Sequence, residues 1–201
     1  GLPAEYDKIT EIGRKFSLVV IEDGAQGFGG KASNKRACSF GDVAGTSFFP
    51  AKPLGCYGDG GAIFTNDETQ AEIMRSIRIH GFGKDRYENV RLGINGRLDT
   101  LQAAVLLEKL NIFDSELKSR QQIAEKYTNE LKSMIKTPKI PADCSSSWAQ
   151  YTLTADDEKQ RERVMEHLNA ADIPTMIYYP IPLHKQKVFE GLRSDYCNLS
   201  V

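Results

Sequence analysis

The feature that most restricts the fold is a short unbroken apolar run, Leu18-Val19-Val20-Ile21, which ends at once in Glu22-Asp23-Gly24-Ala25-Gln26-Gly27. The run is rich in β-branched residues and shows no alternation, the pattern of a strand covered on both faces, as in a parallel sheet. A helix expected over residues 5–15, with Ile9 and Ile12 on one face, feeds into it. Helix, buried strand and polar glycine-bearing turn make an α/β pattern, and in that architecture ligands bind outside the carboxyl ends of the strands. Asp23 stands at such an end, although a strand-end Asp taken alone is better explained as a turn or cap residue.

Further along, residues 43–49 and 62–65 read as a second and a third strand, joined by a loop dense in Gly and Pro. Asn66 is the expected N-cap of a helix carrying Ala71, Met74 and Ile77 that stops near Gly81. Residues 82–96 are polar and Gly-rich, a loop. Asp99 or Thr100 then caps a helix with Leu101, Ala104, Val105, Leu107 and Leu110 on its apolar stripe. A longer helix follows from about residue 113 to 134, with Leu117, Ile123, Ala124, Tyr127 and Leu131 inward. Pro138 and Pro141 mark a boundary, which places a partial large domain at 1–136 and a partial small domain at 137–201. The small domain is expected to be α+β, with strands at 149–154 and 175–178 around a helix at about 157–171.

Composition removes several function classes. The 26 Lys and Arg are balanced by 27 Asp and Glu and mixed with them along the chain, which argues against nucleic acid as a partner. No apolar run reaches membrane-spanning length, so no membrane role is expected. Cys38, Cys56, Cys144 and Cys197 form no CxxC pair and have no His at ligand spacing, so no metal is expected and a cytoplasmic location fits reduced thiols. The chain opens on Gly1 and stops at Ser200-Val201, which suggests a piece of a longer protein.

The densest chemical signal is the stretch Thr46-Ser47-Phe48-Phe49-Pro50-Ala51-Lys52-Pro53-Leu54-Gly55-Cys56-Tyr57-Gly58-Asp59-Gly60-Gly61. A lysine between two prolines at the end of a strand sits on a stiffened loop, and the glycines beyond it allow close approach of backbone to a ligand. A P-loop is excluded because Lys52 precedes the glycines. An exposed loop lysine is the ordinary reading of one such residue. The combination of a strand-end carboxylate at Asp23, a hydroxyl at Ser47 and an amine at Lys52 is what pyridoxal phosphate requires. The amine attaches the cofactor, the carboxylate keeps the pyridine nitrogen protonated, and hydroxyl and N–H donors hold the phosphate.

Four ordered blocks carry a resemblance to a known family. They are Val20-Ile21-Glu22-Asp23-Gly24-Ala25-Gln26-Gly27-Phe28-Gly29, the Ser47–Gly61 stretch, Asn95-Gly96-Arg97-Leu98-Asp99-Thr100-Leu101-Gln102, and Tyr179-Pro180-Ile181-Pro182-Leu183-His184. In order and spacing the chain resembles the DegT/DnrJ/StrS sugar aminotransferases, pyridoxal 5'-phosphate enzymes of fold type I with a mainly parallel α/β large domain and a small α+β domain. The resemblance implies that Lys52 binds the cofactor covalently and moves protons, that Asp23 pairs with the pyridinium nitrogen, and that Gln26 contacts the ring's phenolic oxygen. It further implies that Ser47 binds the phosphate and that Asn95 reaches the neighbouring subunit's phosphate across a homodimer. His184 and Tyr178 resemble positions near a nucleotide-sugar, with a loop histidine and a turn asparagine as the bland readings of His184 and Asn95.

The implied activity is amino transfer, from a donor such as glutamate, to a nucleotide-linked keto sugar, most similar to members that act on UDP-linked sugars for surface glycans. Family members carry a segment before the Asp23 strand and a longer end, so a catalytically incompetent fragment or a regulatory module with the same fold is an alternative. The related sugar dehydratases replace the lysine, and Lys52 argues against that reading.

Overall fold

The computed structural model describes residues 1–191 apart from Arg86, and the chain divides into two compact units, Gly1–Thr154 and a second beginning at Ala155. The first unit opens with α1 (Tyr6–Lys15), then β1 (Ile21–Asp23), a hairpin of β2 (Lys31–Ala32) and β3 (Lys35–Arg36), and β4 (Val43–Ser47). It continues with β5 (Gly61–Thr65), α2 (Glu68–Arg78), α3 (Thr100–Leu131) and β6 (Cys144–Ser145). The second unit contains α4 (Glu158–Ala170) and two 3-10 turns, Leu183–Lys185 and Lys187–Phe189.

The main sheet has the order β1-β4-β5, with β1 parallel to β4 and β5 antiparallel to it. A connection without a helix, residues 48–60, joins β4 to β5, which suits an antiparallel pair. The expected helix, strand and second and third strands are present, but the first strand lies later than its apolar run. Leu18, Val19 and Ile21 are exposed at 61%, 71% and 75%, so the described residues do not cover the run on both faces. Among the described strands β1 pairs only with β4, and its buried position is Glu22. Ile9 and Ile12 of α1 are also exposed.

The core lies where α3 meets the loop after β4. Phe48, Leu54, Cys56, Leu106 and Phe113 form one buried cluster, joined by half-buried Phe28, whose ring centroid lies 5.7 Å from that of Phe113. Burying each Leu or Phe side chain of this kind stabilises by about 1.5–3 kcal/mol. Two helices were expected where α3 runs unbroken, because no Gly or Pro interrupts residues 100–131. Its buried residues are Leu106, Phe113 and Ala124, whose spacing returns to one stripe, while Leu101 and Leu107 face out. The cap of α2 is Asp67, which accepts from Gln70 N at 3.0 Å, and not Asn66.

The segment assigned by sequence to the small domain, 137–154, packs with the first unit. Here β6 pairs with β2, and Trp148 stacks on Tyr151, which contacts Tyr127. A strand at 149–154 does not form beyond an isolated bridge between Lys136 and Thr154, and Trp148 at φ 50 breaks the extended backbone just before it. Residues 175–178 form no strand either, having no ladder partner among the described residues. The hairpin at β2–β3 escaped the sequence reading. Its turn residues Ser33 and Asn34, at φ 48 and 63, are the two-residue turn that matches strand twist.

Candidate active site

Asp23 closes β1 and pairs with Gly45 across the parallel ladder. The backbone on its far side is tied twice: Gly24 N donates to Gly45 O at 2.8 Å, and the Thr46 hydroxyl donates to Gly24 O at 3.2 Å. Ala25 N donates to Asp23 Oδ1 at 3.0 Å, which uses one carboxylate oxygen to start the turn. Ser47 ends β4, and its hydroxyl accepts from Phe49 N at 3.2 Å. A carboxylate and a hydroxyl thus emerge from the carboxyl ends of adjacent parallel strands.

Both line an open cleft of about 1300 Å³ over the face of the main sheet, with Ile63, Phe64, Met74 and Ile77 among its apolar walls. Gly45 lies between them in the ladder, and a Cβ built there would meet no heavy atom within 4 Å. The floor beside Asp23 is therefore bare backbone, a surface on which a flat group could rest.

Lys52 follows in the loop after β4, half-buried, with its N–H donating to Phe49 O at 2.9 Å. Two backbone bonds close the loop's base, Phe48 N to Gly60 O and Cys56 N to Phe48 O, both 2.8 Å. Three side chains of α3 hold its outer side. Lys109 Nζ donates to Gly55 O at 2.6 Å, Arg120 Nη2 to Pro53 O at 3.2 Å, and Gln102 Oε1 accepts from Tyr57 N at 2.8 Å. Sequence reasoning missed Lys109 and Arg120. The signal was available: Gln102, Lys109 and Arg120 repeat the spacing of Leu106, Phe113 and Ala124, a polar stripe beside the buried one.

Among the described residues the cleft wall includes neither Lys52 nor Gln26 nor Asn95. Gln26 is half-buried in the turn after β1, and its carbonyl accepts from the hydroxyl of Ser147, which is fully buried, at 2.9 Å. Asn95 is exposed in the loop before α3, bridged to Ile79, and its neighbour Gly96 does line the cleft. Tyr178 and His184 belong to the second unit and are exposed, His184 within the first 3-10 turn.

The field around Asp23 is negative. Burial and the neighbouring Glu22 and Asp23 charges push the Cys38 thiol up to about 11, against a smaller opposing pull from the Thr46 hydroxyl. Tyr6 is pushed up by burial and by the same two carboxylates. Such a field disfavours further anions beside Asp23 and stabilises a protonated nitrogen there. The described residues hold no group of three or more His, Cys, Asp or Glu placed to bind a metal, and no helix long and apolar enough to cross a membrane.

The pattern of the DegT/DnrJ/EryC1/StrS aminotransferase family matches residues 1–199. The UDP-2-acetamido-2-deoxy-3-oxo-D-glucuronate aminotransferase of Pseudomonas aeruginosa is 51% identical over 187 residues, covering 92% of this chain and 51% of that protein. The crystal structure of a DegT DnrJ EryC1 StrS aminotransferase from Brucella abortus superposes with a TM-score of 0.90 at 49% identity, covering 94% of this chain and 50% of the other. The structure of NtdA from Bacillus subtilis with bound cofactor PMP gives a TM-score of 0.81 at 30% identity, over 96% of this chain and 46% of that one. The chain therefore spans about half the length of the relatives it matches. On this match, over nearly all of its length, the chain belongs to the DegT/DnrJ/EryC1/StrS aminotransferase family.

Proposed function

We propose that the protein containing this chain is a pyridoxal 5'-phosphate-dependent aminotransferase that transfers an amino group from an amino acid, glutamate being the first candidate, to a UDP-linked keto sugar. The observation that carries it is the placement of Asp23 and Ser47 at adjacent strand ends over the bare floor at Gly45, with Lys52 in the braced loop that follows. The identity of 51% to a UDP-sugar aminotransferase supports the substrate class.

The residues present fit the cofactor. A carboxylate, a hydroxyl and a primary amine are the donor set it needs, and the negative field at Asp23 suits a protonated ring nitrogen. When bound, the cofactor supplies an electron sink for the carbon that loses its proton. Lys52 Nζ would attach it covalently and, once freed from it, would carry the proton between the substrate carbon and the cofactor carbon. Asp23 would hold the ring nitrogen charged, Gln26 would contact the phenolic oxygen, and Ser47 would donate to the phosphate.

Asn95 would act across a homodimer. Its exposure supports this, as does the apolar surface around it, where Leu92, Ile94 and Leu101 are 96%, 63% and 80% exposed. His184 and Tyr178 would contact the nucleotide-sugar, consistent with their exposure in the second unit.

The test uses the full-length protein, pyridoxal phosphate and glutamate without sugar. One equivalent of 2-oxoglutarate per site is expected, and a UDP-linked 3-keto sugar should then permit turnover. Formation of no keto acid from glutamate or any other common amino acid would sink the proposal.

A further inference from the structure

Glu22 is the least expected side chain of the first unit. It is 1% exposed, it is a carboxylate, and among the described residues it has no salt bridge. A buried carboxylate persists only where donors replace its water. Here backbone N–H groups do so: Cys38 N donates to Oε1 at 2.5 Å, Phe40 N to Oε2 at 2.9 Å, and Gly41 N approaches Oε2 at 3.5 Å. The clamped segment is tied again beyond the clamp, where Asp42 N donates to Val20 O and Asp42 Oδ2 accepts from Val20 N. Phe40 stacks on Tyr6 of α1 with ring centroids 4.8 Å apart.

Strand alternation then makes the connection. Glu22 and Asp23 are adjacent in β1 and both border the cleft, but their side chains leave opposite faces of the strand, Glu22 buried and Asp23 exposed. Gly24, on the far side, is held by the Gly45 and Thr46 bonds already described. Asp23 is thus flanked in β1 by two pinned residues, Glu22 and Gly24. A strand of three residues has little rigidity of its own, and the Glu22 clamp supplies it from behind.

We propose that Glu22 is a positioning residue: its buried carboxylate, gripping the N–H groups of residues 38–41, sets where Asp23 leaves β1 and so tunes cofactor binding. It touches neither cofactor nor substrate. The inference rests on the cofactor assignment above and deepens it.

The test compares the full-length wild-type protein with Glu22→Gln and Glu22→Asp. Gln keeps the shape and one acceptor oxygen but turns an N–H₂ toward the Phe40 and Gly41 amides; Asp keeps the charge and shortens the reach. In wild-type apoprotein the amides of Cys38 and Phe40 should exchange slowly, and in Glu22→Gln they should exchange at least about 10-fold faster. Affinity for pyridoxal phosphate should fall about 10–100-fold in Glu22→Gln, the range seen when an outer-shell partner of a bound group is removed. The KM for the keto sugar should stay within about two-fold, because only the cofactor side is disturbed. The absorbance of the bound cofactor should also shift with pH differently from wild type, which a purely structural loss would not produce.

Unchanged exchange and unchanged cofactor affinity in Glu22→Gln would overturn the proposal. If neither variant yields soluble protein, Glu22 holds the domain together rather than placing Asp23, and the proposal also falls. Failure of the wild type to bind pyridoxal phosphate would instead overturn the cofactor assignment, so the two failures are distinguishable.

Discussion

Asp23 and Gly45 stand opposite each other in the parallel ladder of β1 and β4, a carboxylate facing a residue with no side chain. The pairing makes a polar group and a bare surface neighbours at the mouth of the cleft. Glycine inside a strand is usually a weakness, destabilising by about 0.5–1 kcal/mol relative to Ala. A glycine at this position is explained if something must lie where a side chain would be.

Gly45→Ala should therefore separate stability from binding. The new Cβ meets nothing within 4 Å, so the full-length apoprotein should melt at the same temperature or slightly higher. Affinity for pyridoxal phosphate, measured by absorbance titration, should fall. Unchanged affinity would remove the floor from the account.

Leu54→Ala should damage the fold and the lysine loop together. Leu54 is 3% exposed in the cluster with Phe48, Leu106 and Phe113, two residues from Lys52. Loss of its side chain should cost about 2–5 kcal/mol, read from denaturant unfolding. Proteolysis within residues 48–60 should accelerate at the same time.

Lys109→Met tests the brace from α3. It keeps most of the stem and removes both the Nζ bond to Gly55 O and the cation over the Tyr57 ring, 5.0 Å from its centroid. Stability should fall by about 1 kcal/mol, the net worth of a hydrogen bond. Cofactor affinity should fall as well, since the loop bearing Lys52 loses one of the three side-chain hydrogen bonds named above that hold it to α3.

Cys38 gives a pH prediction. Its thiol lies near 11 against an ordinary 9.0, chiefly because burial disfavours the thiolate and Glu22 repels it. Below both values its thiolate fraction is about 100-fold lower than an ordinary thiol's, so iodoacetamide should modify it slowly at pH 8. The sign for stability follows. A raised value in the folded state gives stabilisation that is present below about pH 9 and is lost as pH rises through about 11. Alkylation of Cys38 at the rate of a free thiol would contradict this.

Much of the first unit was legible in the sequence because short-range signals decide it. The apolar run before Glu22-Asp23, the second and third strands, and the proline-flanked Lys52 are all local patterns. What failed depends on distant partners. Leu18, Val19 and Ile21 have the composition of a covered strand and stand exposed among the described residues of a chain about half as long as its relatives, and composition alone does not say which neighbours cover a strand. The clamp of Glu22 on residues 38–41 spans 16 to 19 residues and uses backbone donors that carry no sequence signature. Lys109 and Arg120 look like ordinary surface charges until the loop docks on α3. Continuity of α3 could have been read, since nothing between Leu110 and Phe113 breaks a helix.

The central claim is that Lys52 carries the cofactor. The direct measurement is to incubate the full-length protein with pyridoxal phosphate, reduce with borohydride and map the modified peptides. The account predicts one pyridoxyl group per chain, on Lys52 and absent from Lys52→Ala. Label scattered over surface lysines, or concentrated on a different lysine, would contradict it.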